Sequence, residues 1–216
     1  MKRTAVIIGS LAMLLNAGMI APQAAGPIWT DPAKASAENP DFSLQGEYIQ
    51  AGKAFQVIAL GKGQFHVSVY NGGLPGVGWD RSSIGQIRGN TEEIKALTQH
   101  AHRVTHQSPR MGAKPPANAT ILFDGTSADA WDHGKLSDGL LESGTQTKQS
   151  FGDFELHIEF RLPFKPETTP GSQDRGNSGI YSFNRYETQV LDSFGLDLDI
   201  NSWKEKPQSD PKQWCG

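Results

Sequence analysis

The clearest pattern in the chain is a strict alternation of apolar and ionisable residues over positions 154–162. The apolar positions are Phe154, Leu156, Ile158, Phe160 and Leu162, and the ionisable ones are Glu155, His157, Glu159 and Arg161. Successive side chains of a strand point to opposite faces, so this pattern predicts a half-buried strand with its apolar side in a core. The ionisable side either faces water or lines a binding groove, and the pattern leaves both interpretations open.

The N-terminal half of the chain also favours strands. Its β-prone runs lie at 44–49, 55–60 and 65–70. Gly61-Lys62-Gly63 between the last two runs predicts a hairpin, and the glycine-rich run 72–80 predicts a loop. We therefore expect residues 41–106 to form a small β-rich element.

A helical period interrupts this β pattern at residues 91–104. The apolar positions at helical spacing are Ile94, Leu97, Ala101 and Val104. Asn90, followed by Glu93 three residues later, resembles a capping box, so we predict one short helix here. His102 and His106 are four residues apart, a spacing that can place two imidazoles on one helix face. No acidic third ligand accompanies them, so the pattern specifies no metal site.

Residues 175–192 read as a polar hairpin. Two β-prone runs, 180–183 and 186–191, flank Asn184-Arg185, and a two-residue turn there would place Phe183 opposite Tyr186. That register predicts one face with Tyr181, Phe183, Tyr186, Thr188 and Val190, and another with Ser178, Ile180, Ser182, Glu187, Gln189 and Leu191. The second face either grips a polyhydroxy ligand or is simply solvated. We interpret the aromatic face as core, with an exposed sugar platform as the alternative.

Composition narrows the class of protein. The 216 residues carry a formal net charge of -3, and no basic stripe is interleaved with aromatic residues. This argues against a nucleic-acid partner. The single cysteine, Cys215, cannot form an intrachain disulfide, so stability must come from packing.

The N-terminus resembles an export signal. Lys2 and Arg3 precede an apolar run at 5–15 and a stretch rich in small residues at 17–26, which is typical of a secretory signal peptide. The apolar run is too short to span a bilayer. We expect residues 1–25 to be removed, a periplasmic or secreted product, and mobile residues at 26–40.

A proline-rich stretch at 107–119 predicts a linker, and residues 120–216 follow it as a second unit. A series of motifs runs through this unit: Leu122-Phe123-Asp124-Gly125, Trp131, Gly152-Asp153-Phe154-Glu155-Leu156, Glu159-Phe160-Arg161, Asn177-Ser178-Gly179-Ile180-Tyr181, Tyr186-Glu187-Thr188-Gln189-Val190-Leu191-Asp192 and Cys215-Gly216. In order and spacing they resemble the 3-keto-disaccharide hydrolase family. The resemblance implies a mostly β fold, a concanavalin A-like lectin/glucanase jelly-roll sandwich.

The jelly roll is expected to be incomplete in this chain. In the family the Cys-Gly motif lies near the middle of the domain, whereas here it falls at Cys215-Gly216. The resemblance therefore implies missing strands and exposed apolar faces, and a chain that is unstable or inactive alone.

The resemblance implies cleavage of 3-keto-glycosides by base-assisted elimination followed by hydration. The implied catalytic candidates are Glu187 as the base with Glu159 second, Arg161 or Arg175 at the enolate oxygen, and Asp192 as an acid or metal ligand. Asn177, Ser178 and Gln189 would hold sugar hydroxyls, and Arg175 is also a substrate-binding candidate. The cofactor implied is at most a divalent metal ion, and the pathway partner implied is a sugar 3-dehydrogenase.

Three alternatives stay open. Glu187, Gln189 and Asp192 resemble the E-x-D-x-x-E spacing of retaining glucanases of the same overall fold, although the middle acid is an amide here. A lectin-like sandwich can also be a non-catalytic carbohydrate-binding module. The chain can finally be an inactive remnant of the family.

Overall fold

The computed structural model describes residues 26–82 and 84–195. The expected signal peptide at 1–25 and the Cys215-Gly216 motif lie outside these residues. The strands are β1 Gly46–Gln50, β2 Lys53–Gly61, β3 Gln64–Asn71, β4 Gly85–Asn90, β5 His102–Val104, β6 Trp131–Asp132, β7 Leu136–Ser137, β8 Leu140–Leu141, β9 Gln146–Thr147, β10 Asn177–Ser182 and β11 Tyr186–Leu191. The α-helices are α1 Pro32–Glu38, α2 Pro40–Leu44 and α3 Thr91–Thr98. All named strand pairs are antiparallel, and the predicted mostly β class is confirmed.

Five strands form one sheet in the order β4-β3-β2-β1-β5. The three β-prone runs of the N-terminal half are its β1, β2 and β3, as predicted. The turn between β2 and β3 is built by three residues in the left-handed region, Gly61, Lys62 and Gly63, with φ of 83°, 56° and 69°. Glycine adopts this conformation without steric cost, which explains why the hairpin turns here.

Both faces of this sheet are covered. One face carries a core of Tyr48, Phe55, Val57, Ala59, Phe65 and Val67, which packs with Ala35, Ile94 and Phe164. The other face carries Ala54 and Tyr70, which pack with Leu74 from the loop that follows β3. The alternation of apolar residues in β2 and β3 therefore supplies two cores, one on each side.

The capping box predicted at Asn90 is present: its side chain accepts from the amides of Glu92 and Glu93, and Glu93 accepts from the Asn90 amide. The predicted helix length was wrong, because α3 ends at Thr98 and residues 102–104 form β5. There the backbone pairs with β1, placing Val104 opposite Glu47. A free sheet edge outcompetes continuation of the helix because it offers a full row of backbone partners.

Residues 26–40 were expected to be mobile, but they contain helix α1, and α2 begins at Pro40. Asp31 caps α1 by accepting from the amides of Ala33 and Lys34, and Asn39 caps α2 by accepting from Asp41. In both helices proline follows the cap, where its missing N–H costs nothing. Where one short helix was expected, the described residues before the linker contain three α-helices.

Residues 151–163 contain no helix or strand, which contradicts the prediction of a half-buried strand at 154–162. Four of the five apolar side chains expected in a core are 45–60% exposed: Phe154, Leu156, Ile158 and Phe160. No strand within the described part pairs with this segment. An alternating segment buries its apolar side only when neighbouring strands build a sheet beneath it.

In the described residues of the C-terminal part, the strands form three two-stranded ribbons: β6 with β9, β7 with β8, and β10 with β11. The indole of Trp131 is partly buried, and its Nε1–H donates to the Leu122 carbonyl at 2.8 Å. Across the described residues, no helix has the length and apolar character needed to cross a membrane.

Candidate functional site

The hairpin of β10 and β11 forms, but in a different register from the one predicted. Ser182 pairs with Tyr186 and Tyr181 pairs with Glu187, so the loop has three residues, 183–185, instead of two. Phe183 and Asn184 adopt φ of 55° and 53°, and the Arg185 amide donates to the Ser182 carbonyl at 3.1 Å. The additional loop residue shifts every cross-strand pair by one position.

This register redistributes the side chains between the two faces, since paired residues share a face. One face carries Asn177, Gly179, Tyr181, Glu187, Gln189 and Leu191, and the other carries Ser178, Ile180, Ser182, Tyr186, Thr188 and Val190. The prediction that Tyr181 lies on the other face of the hairpin from Glu187 and Gln189 was therefore wrong, because all three share one face. Ser178, expected beside Glu187, belongs to the other face.

The face that carries Glu187 also carries the polar side chains of Asn177, Tyr181 and Gln189, and these four residues form a polar cluster. The Gln189 amide Nε2 donates to Asn177 Oδ1 at 2.9 Å. A hydrogen bond between the Tyr181 hydroxyl and the Glu187 carboxylate raises the pKa of Tyr181 above its usual 10.0. The tyrosine therefore keeps its proton and donates it in this hydrogen bond to the Glu187 carboxylate.

Gly179 makes room for that carboxylate. It lies between Asn177 and Tyr181 on the same face, and a Cβ at this position would overlap the Glu187 carboxylate. Glu187 therefore folds across the strand over a residue without a side chain. The N-S-G-I-Y motif provides this space because glycine alone lacks a Cβ.

Arg175 and Asp192 lie at the open end of the hairpin and contact each other. Arg175 Nε is 2.8 Å from Asp192 Oδ2, and the arginine is 2% exposed. Arg175 also donates to the carbonyls of Ala59 and Thr168. In this structure the guanidinium binds protein groups; its predicted role in substrate binding and that of Asp192 in acid or metal chemistry stay predictions.

Glu159 and Arg161 lie in the exposed segment 151–163. Glu159 Oε1 accepts from the Gly112 amide at 2.6 Å and lies 3.2 Å from His157 Nε2. The Gly112 amide, followed by His157, lowers the pKa of the Glu159 carboxyl below its usual 4.5. Arg161 donates to the Thr30 carbonyl at 3.3 Å. No hydrogen bond or ion pair among the described residues joins these two side chains to Glu187.

The described residues offer no clear metal centre. Within 26–82 and 84–195, no group of three or more His, Cys, Asp or Glu side chains is placed to share a metal ion. His102 and His106 do not share a helix face, because His102 begins β5, and His106 Nε2 instead lies 3.2 Å from Glu47 Oε2. We therefore derive no chemical step through a metal.

The chain is similar to one protein family in its C-terminal part. Residues 118–216 match the family model of the 3-keto-alpha-glucoside-1,2-lyase-like domain. This match confirms the resemblance found from the motifs, over slightly less than half of the chain. No curated protein and no solved structure matches the chain.

Residues 118–216, which match the lyase-like family model, contain both the hairpin and the alternating segment 154–162. Three aromatic residues of its hairpin are exposed, although the face was interpreted as core: Tyr181 by 59%, Phe183 by 64% and Tyr186 by 69%. Phe183 contacts Phe154, with ring centroids 6.0 Å apart. The core interpretation was wrong because, among the described residues, no second sheet covers the tip of this hairpin.

Within residues 118–216, the structure brings together three predicted site residues, Asn177, Glu187 and Gln189, and adds Tyr181 and Gly179. Sequence reasoning assigned Tyr181 to the wrong face because the assumed turn was one residue too short. Gly179 carried a readable signal: a glycine inside a strand often marks a place where another group approaches closely.

Proposed function

We propose that the lyase-like domain cleaves 3-keto-glycosides by elimination and then hydration. The proposal is supported by the family match over residues 118–216 and by the Glu187 carboxylate in the polar cluster of the hairpin. That carboxylate is the observation on which the proposal depends. It is partly exposed, and it lies beside an amide pair able to bind sugar hydroxyls.

The ketone at C3 makes such chemistry accessible to a carboxylate base. Removal of the C2 proton sends its electron pair into the C3 carbonyl and forms an enolate. The enolate restores the ketone and forms a C1–C2 double bond while the C1–O bond breaks, and the leaving group takes up a proton. Water then adds at C1 and a proton returns to C2, which gives net hydrolysis.

In this proposal Glu187 removes the C2 proton. Tyr181 holds the carboxylate by donating its hydroxyl proton, and Gly179 leaves space for it. Asn177 and Gln189, which are joined by a hydrogen bond of 2.9 Å, would exchange that contact for sugar hydroxyls. A sugar 3-dehydrogenase is the class of enzyme that would supply the ketone.

The test is the release of a chromogenic aglycone from a 3-keto-α-glucoside by Glu187→Gln. Loss of a general base typically costs about 10²- to 10⁴-fold in rate, and we expect kcat to fall in that range. Glu142→Gln is the matched control, because Glu142 is an exposed carboxylate of the same domain. Equal activity in the wild type and in Glu187→Gln would contradict the assignment.

The reaction type has its own readout. In D2O, elimination followed by hydration places deuterium at C2 of the released sugar, because the proton that returns comes from solvent. Double displacement at C1, the chemistry of retaining glycosidases, leaves the C2 hydrogen in place. A product without deuterium would therefore reject elimination even if the glycoside is cleaved.

A non-catalytic carbohydrate-binding function is the second candidate. It is favoured by the exposed aromatic residues of the hairpin, Tyr181, Phe183 and Tyr186, because aromatic rings at a surface offer an apolar body with a polar edge. Saturable binding of the keto-glucoside without release of aglycone, weakened by Tyr186→Ala, would support this function over the enzyme.

A further inference from the structure

Arg175 joins the two halves of the chain at a buried point. It ends a short 3-10 helix, Gln173–Arg175, directly before β10, and its side chain is 2% exposed. Its Nε–H donates to Asp192 Oδ2 at 2.8 Å, one residue beyond the end of β11. One guanidinium therefore spans both strand ends at the open side of the hairpin.

The other two nitrogens of the same guanidinium reach the N-terminal sheet and its surroundings. Nη1 donates to the Thr168 carbonyl at 2.9 Å and to the Ala59 carbonyl at 3.4 Å. Nη2 donates to the Ala59 carbonyl at 3.4 Å and to Gln45 Oε1 at 3.5 Å. The planar fork of arginine suits this arrangement, since it presents five donors in fixed directions.

Ala59 needs these partners because the sheet is incomplete beside it. Strand β1 begins at Gly46, opposite Val57 of β2, so no residue of β1 lies opposite Ala59. The Ala59 amide donates to Gln45 Oε1 at 3.1 Å, and its carbonyl accepts from Arg175. Two side chains thus replace the missing strand, which satisfies backbone groups that would otherwise be buried without partners.

A second contact fixes the end of the hairpin to the same sheet. The Asp192 amide donates to the Gly176 carbonyl at 2.8 Å, which closes the hairpin base. Three residues later, the Gly195 carbonyl accepts from the hydroxyl of Ser68, a buried residue of β3, at 3.0 Å. The base of the hairpin is therefore held by two contacts with the sheet, one from Arg175 to β2 and one from Gly195 to β3.

We propose that Arg175 is a positioning residue that holds the Glu187 hairpin on the N-terminal sheet, so that the two predicted units act as one structural unit. This rests on the proposed function only for its effect on catalysis. Arg175 itself does not touch the polar cluster of Asn177, Glu187 and Gln189. Its substitution should loosen the hairpin while the sheet, which has cores on both faces, stays folded.

The experiment compares Arg175→Met and Arg175→Lys with the wild-type chain. Arg185→Met is the matched control, because it removes an exposed arginine from the loop of the same hairpin. Hydrogen exchange is followed separately for amides of 177–191 and of 53–71. In Arg175→Met we expect at least tenfold faster exchange in the hairpin and unchanged exchange in the sheet. Arg175→Lys keeps the charge beside Asp192 but loses the fork, so an intermediate rate is expected.

Aglycone release gives the second readout. A positioning role predicts that kcat falls at least tenfold in Arg175→Met while KM changes less than threefold, because the sugar-binding side chains remain on the hairpin. A binding role would raise KM instead and would overturn the proposal. Unchanged hydrogen exchange in the hairpin of Arg175→Met would also overturn the proposal. The same holds if exchange becomes equally faster in the sheet and in the hairpin of both Arg175→Met and Arg175→Lys. Should the wild-type chain release no aglycone, the proposed function fails and the exchange result alone decides the role of Arg175.

Discussion

The N-terminal sheet and the segment 151–163 have similar apolar alternation and opposite fates. In β3, Phe65 and Val67 are 1% and 0% exposed, whereas Phe160 in the segment is 60% exposed. The difference lies in the neighbours: β3 has a strand on each side, and in the described part of the chain the segment has none. The alternation of apolar and polar residues indicates which side of a strand can be buried, but burial occurs only where neighbouring strands are present.

The polar side chains of the sheet and of the segment 151–163 also differ in how closely they are paired. In the sheet, polar groups between the strands are paired: Tyr70 donates to Gln56 at 2.7 Å, and Gln56 donates to Glu47 at 2.8 Å. In the segment, the ion pair of Glu155 with Arg110 spans 3.9 Å, and both side chains are at least 75% exposed. Such exposed pairs contribute little stability. We therefore expect the sheet, with a core on each face, to contribute more to stability than the segment does.

The largest expected effect follows from a pair of phenylalanines. Phe65→Ala removes a ring from the sheet core and should lower the free energy of unfolding by about 3–5 kcal/mol. Phe160→Ala removes an exposed ring and should change it by less than about 0.5 kcal/mol. Urea denaturation of both variants measures this. A similar loss in both would show that the segment is packed against something in solution.

A smaller effect is expected from side chains that cap backbone amides. Asn90→Ala removes the cap of α3, whose Ile94 is buried in the sheet core, and should cost about 1 kcal/mol. Ser127→Ala removes one hydrogen bond to Asp129 in a turn and should fall within about 0.5 kcal/mol. Thermal unfolding of Asn90→Ala and Ser127→Ala measures both losses of stability. It compares a helix that packs on the core with a turn that does not.

The smallest effect concerns pH. The carboxyl of Glu159 has a pKa below its usual 4.5, first because of the Gly112 amide and then because of His157. A lowered pKa means that this contact stabilises the fold above pH 4.5 and that the contribution is lost as pH falls through the folded value. NMR titration of Glu159 should show the low value, and His157→Ala should raise it. A pKa of 4.5 or above in the wild type would mean that residues 107–119 do not contact the segment.

Local features of this protein were readable in its sequence. The strands β1, β2 and β3 followed from their β-prone runs, and the glycines at 61 and 63 marked the turn between two of them. Asn90 and Glu93 marked the start of α3 because capping depends on residues three apart. The family motifs, including the Glu187 strand, were likewise visible as an ordered series. Each of these signals involves residues close together in the chain.

Other features were decided only by the tertiary structure. The sheet edge beside β1 converted the end of the predicted helix into β5. One extra loop residue in the hairpin moved Tyr181 beside Glu187 and Ser178 away from it. Arg175, for which the family resemblance implies a role at the substrate, also forms a buried contact with Ala59, 116 residues away. These outcomes depend on which backbone groups would lack hydrogen-bond partners in the folded chain. The positions of strands that are distant in sequence decide this, and a local sequence pattern does not reveal them.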